Sequence, residues 1–227
     1  MKREMGTQIS AFERLRDLPA IFRAGEVMQQ FRWTSKTVSH YLYLWKRRGL
    51  VQAFGGHSDI YANLLVDRNP DWEKALRCAM PSAVLIGIDA LRRAGWTTQR
   101  VQRPTVAVKA GLPVFKTDHF EVIRRSAAWF EAVRDGIVGD SREGLRLLQP
   151  AWALADLLNQ TAWGVCGLWP DDIEWSQISK DDEIEWRCAC ASFVLPGTGL
   201  MSMAESSRSH LPRILPKQSH QAKRASR

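Results

Sequence analysis

The chain predicts an α+β fold on three observations. A helical apolar stripe at Val38, Tyr41, Leu42 and Trp45 is followed directly by two β-prone runs around Gly55-Gly56. A polar break, Asp67-Arg68-Asn69-Pro70-Asp71, then leads into a longer stretch where helical and strand patterns alternate. The end of the chain is basic and rich in Ser, Gln and Pro. The expected parts are a helix-rich unit with a hairpin over 8–66, a mixed α/β domain over 67–195, and a disordered basic tail over 204–227.

A first helix is expected over Ile9–Phe22, with Ser10 as its cap, Phe12, Leu15 and Leu18 at helical intervals and Pro19 near its end. A second runs from Gly25 to Arg32, with Val27, Met28 and Phe31 on its apolar side and Trp33 packed at the junction that follows. The third begins at Thr34-Ser35-Lys36-Thr37, where Thr34 or Ser35 is placed to cap free amides. Its stripe falls at i, i+3, i+4 and i+7, one face of a 3.6-residue helix. Opposite lie Lys36, Thr37, Ser39, His40, Tyr43, Lys46 and Arg47. Arg48-Gly49 ends it, cations suiting the negative helix end and glycine the left-handed cap. Val51–Phe54 and Ile60–Leu65 are strand-like, and the Gly55–Asp59 link between them carries a Gly-Gly turn signal.

Helix, turn, helix and hairpin in this order read as a winged helix-turn-helix, whose third helix lies in a major groove. On that reading Lys36, Thr37, Ser39, His40 and Tyr43 approach base edges of double-stranded DNA. Arg32, Ser35, Lys46, Arg47 and His57 contact phosphates. The plainer alternative is a helical pair with a solvated basic face, in which His40 meets only water.

Charge is sorted along the chain. Residues 1–66 hold ten Lys or Arg against five Asp or Glu, and 204–227 hold six against Glu205 alone, so each carries +5. Residues 67–203 carry −2, sixteen cations against eighteen acids. Basic ends on a slightly acidic middle suit a chain that sits on phosphates at its N-terminal end and meets something else through its centre. No window approaches the roughly 20 apolar residues of a membrane span, and the start of the chain lacks a signal-like apolar stretch, so a cytoplasmic location is expected. Cys78, Cys166, Cys188 and Cys190 are too few and scattered for a disulfide framework and too weakly patterned for zinc. Neither a metal nor a cofactor is expected.

Past the polar break, Trp72–Ala79 reads as helical, and Ser82 is placed to cap a longer helix over Ala83–Ala94 that stops at Gly95. Thr105–Val108 and Phe120–Arg124 read as an antiparallel pair about Gly111-Leu112-Pro113. Leu145–Leu148 is a further strand candidate, and Pro150 opens a helix over Ala151–Gln160. The acidic, tryptophan-bearing stretch 169–186 reads as a solvated helix with its aromatics inward. The competing reading is a docking surface for a basic partner.

The order of parts resembles the AbiEi antitoxins of bacterial type IV toxin–antitoxin systems. Thr37-Val38-Ser39-His40-Tyr41-Leu42 with Arg48-Gly49-Leu50-Val51, the segment Ser82–Gln99 and the later Pro150–Leu158 carry the likeness, over about residues 8 to 180. The resemblance implies a repressor of its own operon that binds promoter repeats and opposes a nucleotidyltransferase-like toxin, with no stable complex assumed. A dimer on DNA is a reasonable expectation for paired half-sites. One alternative keeps the winged helix and makes the second domain a ligand sensor. Another is a nuclease, but Lys109 has Ala107 where a metal-binding carboxylate would stand, and Asp118-His119-Phe120-Glu121 splits its groups over two faces of a strand. No catalysis is expected.

Overall fold

The computed structural model describes residues 11–139, 144–196, 199–200 and 202–203, so the expected tail at 204–227 and the Ser10 cap lie outside the described residues. The chain is α+β, with helices and two sheets. Its N-terminal part runs α1 (Ala11–Arg16), β1 (Ile21–Arg23), α2 (Ala24–Phe31), α3 (Ser35–Arg47), β2 (Val51–Ala53) and β3 (Ile60–Asn63). The three strands form an antiparallel sheet in the order β1-β3-β2.

The second part runs α4 (Trp72–Ala79), β4 (Val84–Ile86), α5 (Ile88–Arg93), β5 (Thr105–Lys109), β6 (Glu121–Arg125), α6 (Ala127–Ala132), β7 (Ile137–Val138), β8 (Arg146–Leu148), α7 (Pro150–Gln160) and α8 (Lys180–Phe193). Its sheet has the order β6-β5-β4-β8-β7. Helices α5, α7 and α8 share a core with Trp96 and Trp152. The buried Asp156 of α7 accepts from the Trp129 indole at 2.7 Å and pairs with Arg125 at 3.3 Å. Among the described residues no helix is long and apolar enough to cross a membrane. All four cysteines are free thiols, and burial pushes that of Cys190 up to about 11.

Three expectations are corrected. The helix expected over Ile9–Phe22 ends at Arg16: Asp17 and Leu18 close short turns onto Arg14 and Leu15, Pro19 cannot continue the ladder, and Ile21–Arg23 leaves as a strand paired with β3. The helix expected over Ala83–Ala94 is a strand and a shorter helix. Val84, Leu85 and Ile86 are wholly buried between β5 and β8, and Gly87, at φ 69° and ψ −151°, makes a corner that no helix contains. The pair expected to be antiparallel, β5 with β6, is parallel. The segment between them returns along β5, so that Thr105 sits opposite Glu121 rather than meeting it through a tight turn.

In 169–186 the tryptophans divide. Trp186 is buried on α8, Trp175 is half-buried and donates to the Pro170 carbonyl, and Trp169 stands 61% exposed.

The two parts share a core. Ile21, Phe54, Ile60 and Ala62 pack in one cluster with Ala75, Leu76, Met80, Leu85, Val106 and Phe120. The opposite face of the small sheet, through Phe22, Val51 and Tyr61, lies on Val27, Val38, Leu42 and Trp45. Gly56 donates its amide to the Lys116 carbonyl at 2.9 Å in an isolated antiparallel bridge. A Cβ on Gly55 would stand 2.2 Å from that same oxygen, whereas one on Gly56 would meet open space. Gly55→Ala should therefore cost about 1–3 kcal/mol of stability as backbone is forced from backbone, and Gly56→Ala no more than about 0.5 kcal/mol. Urea unfolding of the full chain checks the contrast.

Candidate nucleic-acid interface

Helix α2 ends at Arg32, whose φ of 54° is left-handed, and Arg32, Trp33 and Thr34 turn the chain into α3. Thr34 caps α3, its hydroxyl accepting from the Thr37 amide at 3.2 Å and lying 2.9 Å from the Thr37 hydroxyl. Trp33 stacks on Tyr41 at 4.5 Å, near Phe31 and Trp45, which fixes the crossing of the two helices. At the other end Arg48 closes onto Leu44 and Lys46, and Gly49 takes φ 67°.

Val38, Leu42 and Trp45 are buried on one side of α3, with Tyr41 packed beside them. Lys36, Ser39, His40 and Tyr43 on the other side are exposed, Tyr43 by 62%, and Thr37 is half-buried against its cap. The expected phosphate group, Arg32, Ser35, Lys46, Arg47 and His57, is exposed as well. The geometry brings Ser39, Tyr43, Lys46 and His57 together around a recess of about 500 Å³ between α3 and the β2–β3 loop. Lys36, Thr37 and Arg32 stand at the N-terminal end of α3, away from that recess.

The loop is built tightly. Ser58 is buried, donates its amide to the Gly55 carbonyl and accepts from the Ile60 amide at 3.1 Å, while His57 takes φ 62° and projects to solvent. On the far side of the loop a second recess of about 380 Å³ is lined by Lys46, Gln52, Gly55, Gly56, Lys116, Asp118 and His119. The sequence reading missed Lys116, because 111–119 carries only turn signals and no periodicity.

Ion pairing differs between the two parts. Arg92, Arg93, Arg125, Arg134 and Arg187 each hold a carboxylate. Among the described residues the N-terminal part has one ion pair, Arg23 with Asp59 at 3.5 Å, and Arg32, Lys36, Lys46 and Arg47 form none. Groups of three or more His, Cys, Asp or Glu side chains that could hold a metal ion are absent among the described residues.

No family model and no curated protein matches this chain. Among solved structures it is similar to the crystal structure of the RV2827C protein from Mycobacterium tuberculosis, at 14% identity and a TM-score of 0.47, over 86% of this chain and 75% of that one.

His119 sits where the two parts meet, its ring 3.7 Å from that of Trp72 and 6.4 Å from that of Phe54. Desolvation lowers its pKa below the ordinary 6.5, outweighing the opposing pull of Asp118. The unfolded chain thus takes up a proton at His119 before the folded chain does. Stability from this site is whole above pH 6.5 and is lost as pH falls through and below that value. Urea midpoints compared across about pH 5 to 8 should fall at the acid end, and His119→Gln should flatten that part of the profile.

Proposed function

We propose that residues 8–66 form a winged helix-turn-helix that binds double-stranded DNA, with α3 in the major groove and the β2–β3 loop as the wing. The observation that carries the reading is the division of α3. Hydroxyl, imidazole, phenol and cationic groups cover one exposed side, and the other is locked into a core with Val51 and Tyr61, on the two strands that flank the loop. Lys36, Thr37, Ser39, His40 and Tyr43 read base edges in this arrangement, and Arg32, Ser35, Lys46, Arg47 and His57 hold phosphates.

The wider role we propose is that of an antitoxin of the AbiEi kind, repressing its own operon at promoter repeats and opposing a nucleotidyltransferase-like toxin, without a lasting complex. Its support is the order of parts and the motif segments at Ser82–Gln99 and Pro150–Leu158. A second reading, a ligand-responsive repressor, draws on an aromatic and aliphatic recess of about 370 Å³ near the ends of α7 and α8, lined by Leu158, Trp163, Trp186, Leu195 and Met203. Growth rescue on induction of a neighbouring toxin gene favours the first. A metabolite that both stabilises the protein and releases DNA favours the second.

Gel-shift and anisotropy measurements on fragments of the chain's own promoter test the DNA reading. Lys36→Ala and His40→Ala should each cost about 1–3 kcal/mol of binding, concentrated at one base pair. Lys36→Glu should abolish binding yet raise stability by about 0.3–1 kcal/mol, because an acid suits the first helical turn. Operator affinity unchanged by Lys36→Ala and His40→Ala would remove α3 from the groove.

A further inference from the structure

The α3 side of the molecule continues into the second part. Lys46 lines both the recess between α3 and the loop and the recess behind the loop. Lys116 lines that second recess and also a third, of about 300 Å³, that holds Arg103 and Arg124. The recesses therefore join in sequence around the loop to β6, the edge strand of the larger sheet. All four cations are exposed, and none forms an ion pair among the described residues.

We propose that Lys116, Arg103 and Arg124 form a phosphate-binding track that carries the DNA backbone past the wing onto the second part of the chain. The inference rests on the DNA-binding reading and extends it. A lone lysine on a loop would carry no such weight. Here the Lys116 backbone is fixed to the tip of the proposed wing by the Gly56 bridge, so its side chain keeps station beside whatever the wing touches. A backbone leaving the groove at Lys46 meets Lys116 next, then the edge of β6. Three carboxylates border the path. Asp59 is held by Arg23, whereas Asp118 beside Lys116 and Glu121 between Arg103 and Arg124, which accepts only the neutral Thr105 hydroxyl at 3.4 Å, oppose a phosphate locally. The track reads no sequence, because its cations meet phosphate and not base edges.

The test compares the full chain with a Lys116→Ala, Arg103→Ala, Arg124→Ala triple variant by anisotropy, over a range of salt. The probes are a long mixed-sequence DNA duplex and one of about 12 base pairs, just over a helical turn. Each phosphate contact adds about 0.9 to the slope of log affinity on log salt, so the triple variant should lower it by about 2 to 3 on the long duplex. Little should change on the short one. Lys116→Arg should keep the wild-type slope, separating loss of charge from damage to the fold, and Asp118→Asn should tighten binding. If the triple variant keeps the wild-type slope on the long duplex while Lys46→Ala lowers it, the track is wrong and the winged-helix reading stands. If Lys36→Ala and Lys46→Ala are also silent, both fall. A duplex RNA that binds as tightly and suffers the same loss would overturn the assignment to DNA.

Discussion

The small antiparallel sheet is buried on both faces, and the arrangement of the whole chain follows from that. Side chains alternate across a strand, so Tyr61 of β3 faces α3 while Ile60 and Ala62 face the second part; in β1, Phe22 and Ile21 divide the same way. A sheet with one face on helices and one on solvent needs no further partner. This one has Phe54 and Ile60 on its second face, each worth roughly 1.5–3 kcal/mol when withdrawn from water. Residues of α4, β4 and β5, with Phe120 and Leu145, cover them. The polar stretch Asp67–Asp71 between β3 and α4 thus joins segments that contribute to one core. Gly55 completes the junction, since only a residue without a side chain lets the loop backbone reach Lys116.

That junction bears on the proposed DNA contact. A hairpin anchored only at its base sways, and each phosphate contact from its tip then costs ordering entropy on binding. Here the tip is tied to a loop of the larger sheet through the Gly56 bridge, and Phe54 at its base lies within ring contact of Phe120 and His119. Angular freedom between α3 and the loop is removed before any ligand arrives. The same tie places a second set of cations at a fixed offset from the first.

How much was legible in the sequence depended on how local the decision was. The stripe and cap of α3, its stop at Arg48-Gly49 and the two strands after it are set within a dozen residues of one another, and the pattern reads directly. Val84–Ile86 did not read, because Val-Leu-Ile followed by Ile88 and Leu91 satisfies a helical stripe as well as a buried strand. What decides is the pairing with β5 and β8, drawn from residues far along the chain. The parallel sense of β5 and β6 is likewise a matter of where the connecting segment docks. Asn63 gives a further case: its amide donates to the Leu15 and Leu18 carbonyls, tying the end of α1 to β3, and nothing near it in sequence announces this. For the candidate site, the outward positions of α3 follow from periodicity. Lys116 was invisible because only the fold brings it beside Lys46.

The charge at the start of α3 is the least comfortable feature of the N-terminal part. Helices α2, α4, α5 and α8 each carry an acid in the first turn, where the free amides and the helix dipole favour negative charge. Helix α3 has none there and carries Lys36 instead, with Arg32 just before it. Its last turn, with Lys46 and Arg47, suits the dipole, so those two cations need no function to explain them. Lys36 opposes the local field, and it forms no ion pair among the described residues. A cation at the positive end of a helix, next to exposed hydroxyls, gains when an anion or a strong acceptor comes to it. Phosphate oxygens and the O6 and N7 acceptors of guanine are such partners. The N-terminal end of α3 is thus a part of the surface where the proposed DNA ligand would offset an opposing charge.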